Sequence, residues 1–141
     1  MKRAFALVLS VFIAITFAGC RETPKDDIFT LVEKRYDDIL DACEKKDTDF
    51  LLSVNGIEKV NVVDGYVIVL CKGEGISVSS HDYGFYYSEN NVPAAVDCNL
   101  DIIQSSDSLV SNGNGYSCIV GGNTFYTENI KGKIYFYSNQ Y

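Results

Sequence analysis

The chain has 141 residues, with 12 Lys and Arg against 19 Asp and Glu and a formal net charge of −7. That length suits one domain around a single core. The excess of acid argues against nucleic acid and anionic headgroups as partners and favours basic ones.

Met1, Lys2 and Arg3 precede an apolar run that closes on Phe17, Ala18, Gly19 and Cys20. Two cations, about fifteen apolar residues and small residues at the end are the parts of a secretory signal peptide. The run is shorter than the roughly 20 residues of a spanning helix and ends in Ala-Gly-Cys rather than in an anchoring aromatic or basic flank. The Phe-Ala-Gly-Cys ending resembles the lipobox of bacterial lipoproteins, with Phe17 standing where an aliphatic residue is more usual. The resemblance implies that Cys20 is acylated and becomes the N-terminus of a chain anchored by lipid alone. Arg21 is not the Asp that usually retains enterobacterial lipoproteins at the inner membrane, so the expected location is the outer membrane, facing the periplasm. Residues 1–19 are thus expected to be a signal peptide, 20–25 a lipidated tether and 26–141 one domain. Without Lys2 and Arg3, ten cations face nineteen acids, a net charge of −9. Between Lys72 and Lys131 there is no cation at all, while Glu74, Asp82, Glu89, Asp97, Asp101, Asp107 and Glu128 fall inside that interval.

Residues 26–46 put Ile28, Leu31, Val32, Tyr36, Ile39, Leu40 and Cys43 on one helical stripe. Asp26 and Asp27 stand at the positive end of that helix and Lys45 and Lys46 in its last turn. Asp47 and Thr48 then supply an N-cap for a second, short helix that Gly56 can stop. From there the pattern is β. Val60, Val62, Val67, Val69 and Cys71 alternate around Asp64-Gly65, a hairpin signal. Ile76 and Val78 alternate, as do Tyr83, Phe85 and Tyr87; Pro93 follows a turn before Ala94, Val96 and Cys98. Residues 105–115 read as loop. Residues 116–120, 124–130 and 133–138 read as three more strands, the last pair turning at Lys131-Gly132. The fold class expected is α+β: one or two N-terminal helices on an antiparallel sheet of about six or seven strands.

Tyr83 to Ser88 (Gly-Phe-Tyr-Tyr-Ser within it), Phe125 to Ile130 and the Tyr-Phe-Tyr ending at Tyr135 to Tyr137 are similar to a set of small bacterial proteins. Those carry a Gly-Phe-Tyr-Tyr-Ser strand, a Tyr-Tyr-Thr-Glu-Lys-Ile strand and an aromatic last strand. The resemblance spans most of residues 57–138 and implies the scaffold, with no activity attached. Asn129 stands where lysine is usual, and the cysteines are additional.

Beyond Cys20 there are four cysteines, Cys43, Cys71, Cys98 and Cys118. In an oxidising compartment an even count suggests two disulfides. Of three connectivities, Cys43–Cys71 and Cys98–Cys118 are favoured, the first clamping helix to sheet. Zinc is disfavoured, because there is no Cys-x-x-Cys and only one histidine.

No catalytic, cofactor or metal motif stands out. His81 is followed by Asp82, but neighbours on a strand point to opposite faces, and there is no Gly-x-Ser-x-Gly elbow. The acids of residues 37–49 lack the Asp-x-Asp-x-Asp-Gly spacing of a calcium loop. The glycines at 73–75 and 121–122 lie between strands, so they cannot offer a helix N-terminus to phosphate. The tyrosines are the better lead. With Phe85 and Phe136 in the core, a row of tyrosines is expected on the outer face of the sheet, beside carboxylates, as at a protein-binding hot spot. The expected partner-binding residues are Tyr86, Asp97, Asp101, Glu128, Tyr135 and Tyr137. The function expected is that of a periplasm-facing lipoprotein, not an enzyme and without cofactor, that binds and blocks a basic protein. It would be an immunity protein against a periplasm-acting toxin, or an inhibitor of a basic cell-wall hydrolase. A glycan or envelope-component binder is the alternative and a small hydrolase the third reading.

Overall fold

The computed structural model describes residues 23–74 and 80–141. The expected signal peptide, Cys20 and Arg21 lie outside the described residues, as does the alternation at Ile76 and Val78. The protein is α+β, with three helices, a seven-stranded antiparallel sheet and a second sheet of two strands.

α1 (Pro24–Lys34) starts from a capping box: Thr23 Oγ1 accepts the Asp26 N–H, and the Asp26 carboxylate accepts the Thr23 N–H, both at 3.3 Å. Pro24 needs no partner for an N–H it lacks, so the first helical position suits it. The helix therefore takes in Pro24 and Lys25, the last residues of the expected tether. The single helix expected over residues 26–46 is interrupted at Arg35 (φ −124°, ψ 26°), and α2 (Tyr36–Lys45) follows. Neither Gly nor Pro marks the break. The apolar stripe runs on across it, with Ile28 and Val32 of α1 and Ile39, Ala42 and Cys43 of α2 all buried. The Arg35 guanidinium lies 5.5 Å from the ring centroid of Phe50 in α3 (Thr48–Ser53). Asp47 caps α3 by accepting the Phe50 N–H at 3.0 Å.

The sheet order is β1-β2-β3-β9-β8-β7-β6. β1 (Lys59–Val63), β2 (Tyr66–Glu74) and β3 (His81–Ser88) form one meander, its first turn carrying Gly65 at φ 74°. β6 (Val110–Asn112), β7 (Gly115–Val120), β8 (Asn123–Lys131) and β9 (Ile134–Gln140) form another, whose last strand pairs with β3. Between the two the chain leaves the sheet. It makes a hairpin of β4 (Ala94–Val96) and β5 (Ile102–Ser105), and a short 3-10 turn leads on to β6.

The centre of the sheet is buried on both faces. On the helix side Val67, Val69, Phe85, Tyr87, Ile134 and Phe136 pack with Ile28, Val32, Ile39, Cys43 and Leu51. On the other side Ile68, Leu70, Tyr86, Tyr135 and Tyr137 pack with Ala94, Val96 and Leu100 of the β4–β5 hairpin and its turn. That hairpin is a lid. Burying one large apolar side chain is worth about 1.5–3 kcal/mol, so the lid adds a second core the size of a handful of such residues. Gly84 makes room for it: a Cβ there would lie 2.0 Å from the Val69 carbonyl oxygen and 2.8 Å from the Tyr137 ring.

Candidate functional site

The lid reverses the expected role of the tyrosines. Tyr86 and Tyr137 are fully buried and Tyr135 nearly so, and none of the three is open to a partner or a sugar. The Tyr86 and Tyr135 rings stack 5.3 Å apart and 6° from parallel, with Tyr66 edge-on to Tyr86 at 6.1 Å. Their hydroxyls hold the lid. Thr127 Oγ1 donates to the Phe136 carbonyl (3.0 Å), so its one proton is spent and Tyr86 must donate to it (2.6 Å). The Tyr86 oxygen in turn accepts the Ala94 N–H of the lid at 2.8 Å. Tyr135 donates to Asn91, at the foot of the same hairpin. The alternation correctly sorted the two faces. It assigned residues 94–98 to the main sheet, and so left the tyrosine face uncovered.

The three carboxylates do not converge. Asp97 closes the turn after β4, its Oδ1 accepting the N–H groups of Asn99 (2.9 Å) and Asp101 (3.0 Å). Asp101 is exposed beside it. Glu128 is 7% exposed and faces the helix side, away from both. There it pairs with Lys25 of α1 and accepts the Tyr126 hydroxyl at 2.6 Å. The Lys25 ammonium also sits 5.3, 5.7 and 5.9 Å from the ring centroids of Phe29, Tyr126 and Phe136. Burial pushes the Glu128 carboxyl up, but the hydrogen bonds from Lys25 and Tyr126 and the Lys25 charge outweigh it and hold the carboxyl below its ordinary range. Tyr126 is pushed up to about 12 by burial and by the carboxylate it faces.

All four cysteines are free thiols, and neither expected bridge is formed. Cys43 lines a recess with Gly65, Tyr66 and Val67, at the start of β2, whereas Cys71 lines another with Asn55 and Gly56, near its far end. Both pack in the helix-side core, Cys43 buried and Cys71 half-buried, with no bridge between them. Cys98 shares a groove with Lys59, Val60 and Asn61 of β1, while Cys118 is on β7, with four strands of the sheet between. Burial pushes the Cys43 and Cys71 thiols up to about 12, which leaves them almost without thiolate.

His81 and Asp82 occupy successive positions of β3, and the imidazole stacks on Tyr83 with centroids 6.2 Å apart. Near Asp82 the Tyr137 hydroxyl and Asn139 Oδ1 are buried without hydrogen-bond partners. Asp82 is held above its ordinary range, chiefly by burial, with Glu58 adding to the rise and Lys59 and His81 opposing it.

From Ser108 to Thr127 the chain has no charged residue. This stretch contains β6 and β7, the far edge of the sheet. β6 pairs only with Gly115 to Ser117, so among the described residues Cys118 to Val120 have no ladder partner on that side. Ile119 (74% exposed) and Val110 (68%) stand on the helix side of this edge, Tyr116 and Val120 on the other. The opposite edge, β1, carries Lys59 and is joined by Asn61 Nδ2 donating to the Leu100 carbonyl at 2.9 Å. Natural sheets blunt their edges with charge or cover; β1 has both, while β6 and β7 offer only the shortness of β6. A missing charge over twenty residues was the available signal.

A scan against protein-family models and searches of curated proteins and of solved structures return no match.

Proposed function

We propose that this chain is a lipid-anchored, periplasm-facing lipoprotein that binds and blocks a basic protein, and that the β6–β7 edge is its docking surface. The observation that carries the reading is the uncharged edge with Ile119, Val110, Tyr116 and Val120 exposed. An open strand edge supplies backbone hydrogen bonds to an incoming extended segment, and its side chains supply pockets and contacts. The chain around it is strongly acidic, and its interval from Gly73 to Ile130 has no Lys or Arg. A cationic partner is therefore steered in by the field and held by the neutral edge, with an on-rate that falls as salt rises. The membrane anchor is Cys20, on the lipobox resemblance. In such a role the partner is a toxin acting in the periplasm or a basic cell-wall hydrolase, and inhibition is by occlusion.

The test is capture by residues 21–141 from envelope and secreted extracts, run beside the Ile119→Asp variant. A basic protein retained by the parent chain at low salt, released at high salt and not retained by Ile119→Asp is the expected result. Ile119 is exposed, so that substitution should change stability by less than about 0.5 kcal/mol. Equal retention by both chains would remove the edge from the proposal; retention of nothing basic would remove the proposal itself.

A further inference from the structure

The expected partner-facing carboxylate Glu128 already holds a cation, and the cation belongs to the chain. A carboxylate 7% exposed, a tyrosine hydroxyl on the same oxygen, and three aromatic rings between 5.3 and 5.9 Å from the ammonium make up a built recognition site for a primary amine. The carboxylate accepts an N–H, and the ring faces attract the remaining positive charge. The walls come from distant parts of the sequence: Phe29 from α1, Tyr126 and Glu128 from β8, Phe136 from β9. Its occupant is held only from the first turn of α1, where Lys25 follows Pro24, and the Lys25 side chain is 38% exposed against 9% for that of Glu128. The carboxylate is thus buried, while the lysine that fills the seat stands at a helix end and is partly open to solvent.

We propose that Glu128, Tyr126, Phe29 and Phe136 form a seat for a primary alkylammonium, filled in this structure by Lys25 and available to another amine when Lys25 withdraws. The natural competitor is a lysine side chain of the basic partner; that identification rests on the function proposed above, whereas the seat does not.

The experiment uses Lys25→Ala, which keeps the capping box and empties the seat. Its thermal midpoint is followed as n-propylammonium chloride is added, with sodium chloride at equal ionic strength as the reference. The expected result is a saturable rise of several degrees in Lys25→Ala, absent from the parent chain and from the Lys25→Ala, Glu128→Gln double variant. If Lys25→Ala does not fold alone, recovery of its folded signal in n-propylammonium is read instead. No difference between amine and sodium overturns the proposal in either format. Tetramethylammonium working as well as n-propylammonium also overturns it, because that ion presents charge but no N–H to Glu128. A positive amine result with no basic partner captured by the parent chain would leave the seat standing and remove only its assigned competitor.

Discussion

At the scale of single residues the protein spends its titratable groups on structure. Glu128 and Asp82 shift in opposite directions and so predict opposite pH responses. The Glu128 carboxyl is lowered in the fold, so its contribution is present above the unfolded value and is lost as pH falls through the folded one. Glu128→Gln should therefore destabilise near neutrality, with the difference from the parent chain closing in acid. The Asp82 carboxyl is raised, so its ionisation opposes folding at neutral pH and ceases to do so below the unfolded value. Asp82→Asn should raise the thermal midpoint at neutral pH, a gain that fades on acidification. Melting curves of the three proteins across the acid range check both signs, and parallel pH profiles would refute them. The thiols give a second residue-scale prediction. Protein recovered from the periplasm without reductant should show four reactive thiols in residues 21–141 once unfolded, in line with the four free cysteines. In the native state exposed Cys98 should react first and buried Cys43 only on unfolding. Two or no thiols after unfolding would mean that bridges form.

Among the elements, the β4–β5 hairpin has the largest consequence, because it converts a solvent-facing sheet surface into core. Its turn holds Leu100 at φ 59°, a left-handed conformation unfavourable for a branched side chain, and in exchange seats that side chain against the tyrosines. Gly84 is the matching concession on the sheet. Gly84→Ala should cost at least about 2 kcal/mol, since a methyl group 2.0 Å from a backbone oxygen forces β2 and β3 apart or displaces Tyr137. A fall in the urea midpoint measures it. An unchanged midpoint would mean that the strands can separate at no cost. The helix break at Arg35 is a smaller case of the same kind. Local propensity favoured one helix, while two shorter ones place Ile28, Val32, Ile39 and Cys43 on one core.

At the scale of the molecule, charge and edge geometry together set how it meets others. The acids of α2 and α3 are solvated or paired locally, as Asp41 is with Lys45 at 2.8 Å, so they contribute to the field more than to any site. The neutral β6–β7 edge is where that field does not impose a charge on the contact. Salt should therefore slow association more than it hastens dissociation. Surface kinetics with the captured partner would show this as a falling on-rate at a nearly constant off-rate; the reverse pattern would place the acids inside the interface.

Much of this was legible from residue order. The α+β class, the turns at Asp64-Gly65 and Lys131-Gly132, and the inward faces of Phe85 and Phe136 follow from period-2 and period-3.6 patterns and turn chemistry, which act over a few residues. The helix side of the core was legible for the same reason. Alternation states that two faces of a strand differ, not which of them something else will cover. So the burial of Tyr86, Tyr135 and Tyr137, the pairing of Glu128 with Lys25 across 103 positions and the open edge at Ile119 were decided by tertiary structure. Each depends on the distance between elements remote in the chain, and that distance is set by how the two meanders and the lid close around β3 and β9.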